Sequence, residues 1–104
     1  MSTGVSSTPT GGPLLLLGPA RPNPFASETS VRWAGARGDA VLAGVYDVRG
    51  RLVRELAAPA GGPQEGVLAW NGRGASGEPL PAGVYFLRVR SGGAAESRKV
   101  ILVR

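Results

Sequence analysis

Residues 70–89 contain a complete strand–turn–strand pattern, which restricts this part of the chain to β-structure. An apolar stretch ends at Trp70, and a glycine-rich turn follows it at residues 71–77. A Pro-Ala-Gly step then leads into residues 84–89, where aromatic, aliphatic and charged residues are interleaved. Asparagine followed by glycine adopts positive φ at low cost, and a large aromatic residue at a strand end seals a core. The segment therefore predicts two strands joined by a turn.

Residues that break helices occur throughout the rest of the chain as well. The 104 residues include 17 glycines and nine prolines, while 42% of the residues are apolar. Glycine costs backbone entropy in a helix and proline removes a hydrogen-bond donor, so long helices are disfavoured, whereas the apolar fraction is sufficient for a core. We predict an all-β antiparallel sandwich of about seven strands. The expected strands are residues 14–17, 29–34, 40–47, 51–56, 67–70, 84–90 and 98–103.

The chain divides into a polar N-terminal segment and one domain. Residues 1–13 are mostly Ser, Thr, Gly and Pro, which is typical of a linker or a flexible arm, and residues 14–104 form the expected domain. The domain begins with a leucine run that fits either a strand buried on both faces or an edge strand beneath the core. This run is too short to span a membrane and makes a poor signal peptide. Its members are Leu14, Leu15, Leu16 and Leu17.

Several side chains are expected to fix the core and the turns. Two prolines in Arg21-Pro22-Asn23-Pro24-Phe25 predict extended backbone, with Phe25 at the base of the core. Asp47 and Gly50 predict a tight turn between two strands of a hairpin, through a side-chain hydrogen bond and positive φ respectively. Trp33 is the expected partner of Trp70 across the two sheets. The core candidates, some of which must face outward, are Trp33, Val45, Leu68, Trp70, Tyr85, Phe86, Leu87 and Ile101.

The residue types present exclude most catalytic and metal-binding chemistry. The chain has no cysteine and no histidine, which removes disulfides, thiolate or imidazole metal ligands and Ser-His or Cys-His nucleophiles. The carboxylates are dispersed and mostly lie near turns, so we expect a protein that is not an enzyme and has no cofactor. A calcium site built from turn carboxylates stays open as an alternative. The acidic residues are Glu28, Asp39, Asp47, Glu55, Glu65, Glu78 and Glu96.

Three patterns with known functional meanings have simpler explanations here. Residues 72–77 match the G-x-G-x-x-G pattern, but the prolines that follow cannot begin the helix that dinucleotide binding needs. Arg37-Gly38-Asp39 is a tripeptide that adhesion receptors recognise, and it also fits a turn between two strands. The net charge of +5 comes from scattered arginines interleaved with acids, so we expect no nucleic-acid binding.

Five short motifs occur in the order expected of one known family. They are Arg21-Pro22-Asn23-Pro24-Phe25, then residues 45–54 around Asp47 and Gly50, then Trp70-Asn71-Gly72-Arg73, then residues 77–86 with Gly83 and Tyr85, and the basic and apolar residues 98–104. Through these motifs the chain resembles, from about residue 15 to residue 104, the immunoglobulin-like (FlgD-like) domain of flagellar hook-cap proteins and the C-terminal sorting domains of type IX secreted bacterial proteins. Asn71 stands where the family usually has Asp, which keeps the turn and removes a charge.

The resemblance implies an immunoglobulin-like sandwich in a protein that is secreted or displayed on the bacterial cell surface. It also implies a non-catalytic role in sorting or surface attachment, with secretion or attachment machinery as the partner and no insertion into a membrane. In sorting domains the last strand helps the machinery to recognise its cargo. The residues expected to carry recognition are therefore Lys99, Val100, Ile101, Leu102, Val103 and Arg104.

Two other functions stay open at this point. An extended arm ending in Leu14, Leu15, Leu16 and Leu17 is able to add a strand to a neighbouring copy, which would make the chain a self-assembling filament subunit. A scaffold for assembly, as in hook-cap proteins, is the third reading and calls for a partner-binding domain upstream.

Overall fold

The computed structural model describes residues 15–35, 41–57 and 65–104, and these residues form seven strands and no helix. The predicted linker at 1–13, Leu14 and the Arg37-Gly38-Asp39 tripeptide lie outside the described residues. The strands are β1 (Leu15–Leu17), β2 (Thr29–Gly35), β3 (Val41–Tyr46), β4 (Leu52–Ala57), β5 (Glu65–Trp70), β6 (Gly83–Ser91) and β7 (Ala94–Leu102).

The strands form two antiparallel sheets. One sheet has three strands in the order β1-β2-β5, and the other has four in the order β4-β3-β6-β7. Buried side chains from both sheets belong to one core cluster, as in a sandwich. The predicted all-β, immunoglobulin-like sandwich is confirmed.

Alternation along the strands decides which side chains enter this core. In β6, Tyr85, Leu87 and Val89 are buried, and the residues between them point away from the core. Six of the eight core candidates are buried. Phe86, with 37% of its surface exposed, and Ile101, which is half-buried, are the two that lie on the outer side.

Trp70 lies at the centre of an aromatic cluster. Its ring centroid is 5.4 Å from that of Phe25 and 5.1 Å from that of Tyr85, and its Nε1 donates to the carbonyl of Arg73 at 2.9 Å. The predicted cross-sheet contact with Trp33 is wrong, because β2 and β5 are neighbours in the same sheet, where Trp33 lies opposite Gly66. Phe25 is buried at the core as predicted.

The two predicted turns have the expected chemistry. In the β3–β4 hairpin, Asp47 Oδ1 accepts from the N–H groups of Arg49 at 2.9 Å and Arg51 at 3.0 Å, while Gly50 has a φ of +83°. After β5, Asn71 Oδ1 accepts from the N–H of Arg73 at 3.1 Å, and Gly72 has a φ of +76°. The G-x-G-x-x-G segment is therefore a loop held by its own hydrogen bonds.

Candidate functional site

The six residues predicted to carry recognition lie on and just after β7, at the edge of the four-stranded sheet. Val100 and Leu102 point into the core and are fully buried. Lys99 and Val103 are exposed, and Ile101 is half-buried. The strand therefore has one set of side chains that anchors it and another that a partner is able to reach.

The outer backbone edge of this strand is not free, because residues 22–25, which we call the clip, lie along it. The side-chain Nδ2 of Asn23 donates to the carbonyl of Lys99, and the N–H of Ile101 donates to Asn23 Oδ1, both at 2.9 Å. Phe25 then donates to the carbonyl of Ile101 at 2.9 Å and accepts from the N–H of Val103 at 2.8 Å. Four hydrogen bonds thus fill the edge from Lys99 to Val103.

The clip differs from the extended backbone that its sequence predicts. The peptide bonds before Pro22 and before Pro24 are both cis, and the chain bends between them. Asn23, between the two prolines, is exposed, yet its side chain makes two bonds to the terminal strand. The role of Asn23 was not predicted; the one signal for it in the sequence is a hydrogen-bonding side chain between two residues that lack a backbone N–H.

Two arginines near the terminal strand bind backbone carbonyls. Arg98 donates through Nε to the carbonyl of Gly18 at 3.2 Å and through Nη2 to that of Leu17, which ties β7 to β1 across the edges of the two sheets. Arg104 donates through Nη2 to the carbonyls of Gly72 at 3.1 Å and Leu80 at 2.8 Å. The basic ends of the strand therefore stabilise the fold in addition to contributing charge.

The predicted strand-exchange arm is paired within its own chain where the structure describes it. Leu15, Leu16 and Leu17 form β1, an edge strand antiparallel to β2. Leu15 and Leu17 are buried in the core, whereas Leu16 points outward with 60% of its surface exposed. Of the two arrangements considered for this run, the structure has the edge strand.

Two ionisable groups beside the β3–β4 turn have shifted pKa values. The N–H of Arg51 lowers the pKa of the Asp47 carboxyl, and its guanidinium at 3.0 Å adds to the effect. Burial raises the pKa of Tyr85, and the negative charge of Asp47 raises it further. The Tyr85 hydroxyl donates to the carbonyl of Pro81 at 2.6 Å. Hydrogen bonds within the fold therefore account for the positions of both side chains.

The part of the chain that the structure describes contains no group of three or more Asp, Glu, His or Cys side chains placed to hold a metal ion. Within the same residues, no helix is long and apolar enough to cross a bilayer. The geometry around the predicted recognition residues is that of a strand with alternate exposed side chains, held at its outer edge by the clip.

Two solved structures share this fold. The dimeric latent PorU of Porphyromonas gingivalis matches 97% of this chain with a TM-score of 0.66 at 21% identity. PorZ of the same organism, described as an essential bacterial surface component of the type IX secretion system, matches 90% with a TM-score of 0.58 at 23% identity. The matched regions span only 10% and 12% of those two chains. No curated protein matches the sequence.

A family model matches most of the chain. It describes the FlgD Ig-like domain, and the match covers residues 25–94, from Phe25 of the clip to the first residue of β7. The buried aromatic cluster of Phe25, Trp70 and Tyr85 and the turn after β5 lie within this range. The chain therefore belongs to the FlgD Ig-like domain family.

Proposed function

We propose that this domain is a non-catalytic sorting or surface-attachment domain of a secreted bacterial protein, recognised through its terminal strand. The observation that carries the proposal is the alternation in residues 99–103, where Val100 and Leu102 are anchored in the core and Lys99 and Val103 are exposed at the sheet edge. The fold shared with parts of PorU and of PorZ, a surface component of a secretion system, supports the same function.

Recognition in this proposal works through side chains and not through an added strand. Adding a strand requires free N–H and C=O groups along an edge, and the clip already binds those groups between Lys99 and Val103. The ammonium group of Lys99 and the side chain of Val103 remain for a receptor. Arg104 adds positive charge, although its guanidinium is held by the loop carbonyls.

The test is export of a reporter protein fused in front of the domain, in a bacterium that has a type IX secretion system. The double variant Lys99→Glu/Val103→Asp changes two exposed residues and keeps the buried anchors. We expect this fusion to stay inside the cell envelope while the unmodified fusion is released or displayed. Equal export of both fusions would show that the terminal strand does not carry recognition.

Two controls separate recognition from folding. Arg32→Glu makes a charge reversal on an exposed residue of β2 in the other sheet, and we expect it to leave export unchanged. Each variant domain is also purified, and its thermal unfolding is compared with that of the unmodified domain. Deletion of residues 99–104 is a poorer test because it removes Val100 and Leu102 from the core.

Self-assembly by strand exchange is a second proposal, favoured by the position of β1. A strand of three residues at a sheet edge is easily replaced by its copy from a neighbour. Leu16 lies opposite Ala34, and the chain has no cysteine, so Leu16→Cys/Ala34→Cys allows a disulfide to report the pairing. Strand exchange predicts covalent dimers or ladders on non-reducing gels at high protein concentration; covalent monomers alone would exclude it.

A further inference from the structure

The outer face of the four-stranded sheet, by which we mean its side facing away from the core, carries large apolar side chains in one row. Leu52 of β4 lies opposite Tyr46 of β3, which lies opposite Phe86 of β6, and Phe86 lies opposite Lys99 of β7. Leu52 is 47% exposed and Phe86 is 37% exposed. Adjacent exposed apolar residues on one sheet surface mark an interaction site more often than scattered ones do.

The next row gives this face its shape. Gly44 lies opposite Glu55 on one side and Arg88 on the other. Gly44 has no side chain, and Leu52 packs over it: a Cβ added at Gly44 would lie 2.7 Å from Leu52 Cδ1. One recess, of about 200 Å³, is lined by Leu42, Tyr46, Leu52 and Arg90 among others. A second, of about 320 Å³, is lined by Tyr46, Val48, Phe86 and Arg88 among others. Tyr46 is the wall between them.

The charge of this face is positive. Arg88 and Arg90 stand on β6 and Lys99 on β7, whereas the acids are Glu55 on β4 and Asp47, which lines the second recess and is paired with Arg51. The two ion pairs of the described residues, Arg51–Asp47 and Arg98–Glu96, include none of the three cations. A carboxylate from a partner would therefore meet cations that the described fold does not neutralise.

We propose that the outer face binds an acidic protein segment that places apolar side chains on both sides of Tyr46 and carboxylates against Arg88 and Arg90. Aromatic residues together with arginine are enriched at protein interfaces, and opposite charge steers association. A second copy of the domain would bring the same positive face and be repelled. Single-stranded nucleic acid has the right charge, but it needs stacking platforms, and the apolar recesses suit aliphatic side chains better. This surface shares Lys99 with the proposed recognition residues but does not include Val103, and the binding proposed for it is additional to the sorting function.

The experiment uses a fluorescent peptide that alternates glutamate with leucine, titrated with the full chain while anisotropy is recorded. The variant Arg88→Glu/Arg90→Glu reverses two charges on the outer face. Its matched control, Arg21→Glu/Arg32→Glu, makes the same change in net charge at exposed residues beside and on the other sheet. We expect affinity to fall about tenfold or more in the first variant and to change much less in the control.

A second readout locates the bound peptide. In ¹H–¹⁵N spectra of the full chain, we expect the largest shifts at Gly44, Tyr46, Arg88 and their neighbours, and Leu52→Ser should weaken binding while both arginines remain. Equal weakening in the two charge-reversal variants would overturn the proposal, because it would show only a response to net charge. Tighter binding of an oligothymidine in competition with the peptide would overturn it as well, in favour of nucleic acid. Neither result bears on export, which the Lys99→Glu/Val103→Asp fusion tests through residues other than these arginines.

Discussion

The backbone N–H of Ile101 donates to the side-chain Oδ1 of Asn23 at 2.9 Å, although the two residues are 78 positions apart in the chain. The same side chain donates to the carbonyl of Lys99, so that one carboxamide replaces the peptide group of a neighbouring strand. Exposed strand edges promote unwanted pairing with other chains. Asn23 therefore closes the edge at the point where the proposed recognition residues begin.

Replacing Asn23 with alanine should open this edge without unfolding the domain. Two exposed hydrogen bonds are lost, which we expect to lower the free energy of unfolding by about 1 to 2 kcal/mol. The measurement is native-state hydrogen exchange: the amide of Ile101 should exchange faster, while that of Val100, whose N–H faces β6, should change only with global stability. Unchanged exchange at Ile101 would show that Asn23 does not protect the edge.

Removing the hydroxyl of Tyr85 should make stability less sensitive to alkaline pH. The pKa of Tyr85 is raised in the folded state, so its contribution is fully present below the unfolded value of about 10 and is lost as pH rises through the folded value. Tyr85→Phe also loses the hydrogen bond to Pro81, which should cost about 1 kcal/mol at neutral pH. Urea unfolding at pH 7 and above pH 10 checks both effects. The gap between the two proteins should narrow at high pH; a constant gap would contradict the pKa shift.

Asp47 should contribute to the loss of folding stability at acid pH. Its pKa is lowered in the folded state, so the stability that it contributes is present above the unfolded value of about 3.9 and is lost as pH falls through the folded value. In Asp47→Asn the midpoint temperature of unfolding should therefore fall less between pH 6 and pH 2.5 than in the unmodified domain. Glu55→Gln, at an exposed carboxylate of β4, is the control; an equal effect there would show that the response is not specific to the turn.

Two glycines of the sheets should respond differently to an added methyl group. A Cβ on Gly66 would lie 3.0 Å from the buried indole of Trp33, whereas one on Gly44 would meet the end of the half-exposed Leu52 side chain, which is able to rotate away. We expect Gly66→Ala to cost about 1 to 3 kcal/mol and Gly44→Ala to be close to neutral. Thermal unfolding of the two variants decides, since about 1 kcal/mol moves the midpoint by roughly 4–8 °C in a domain of this size. A larger loss of stability in Gly44→Ala than in Gly66→Ala would show that Trp33 moves aside more easily than Leu52.

The sequence identifies the strands because local patterns define them. Alternation in residues 84–90 predicts β6, and Asp47 with Gly50 predicts the hairpin, since neighbours along the chain determine both. The sequence defines the ends of the strands less well. β7 begins at Ala94 and not at the predicted residue 98, because pairing with β6 extends the strand beyond its apolar part.

Contacts between distant residues are what the sequence does not reveal. Nothing in the Pro-Asn-Pro pattern says that Asn23 binds the backbone at Lys99 and Ile101, since the bonds depend on where two separate segments meet. The wrong pairing of Trp33 with Trp70 has the same origin, because it needed the order of strands within a sheet. The outer face that includes Arg88 cannot be predicted from the sequence for the same reason, because each of its rows combines residues from four strands.

The bonds of Arg98 to the carbonyls of Leu17 and Gly18 also have a kinetic consequence, together with the clip. β1 pairs with β2, but the carbonyls of Leu17 and Gly18 and the outer side of the clip bind residues 98–103, so these bonds form only after most of the chain has been synthesised. Folding that depends on such distant contacts is slow. A copy cut short before residue 98 would keep the pairing of β1 with β2 but lose the bonds of Arg98 and of the clip, and the complete set of bonds therefore reports that the last strand is intact.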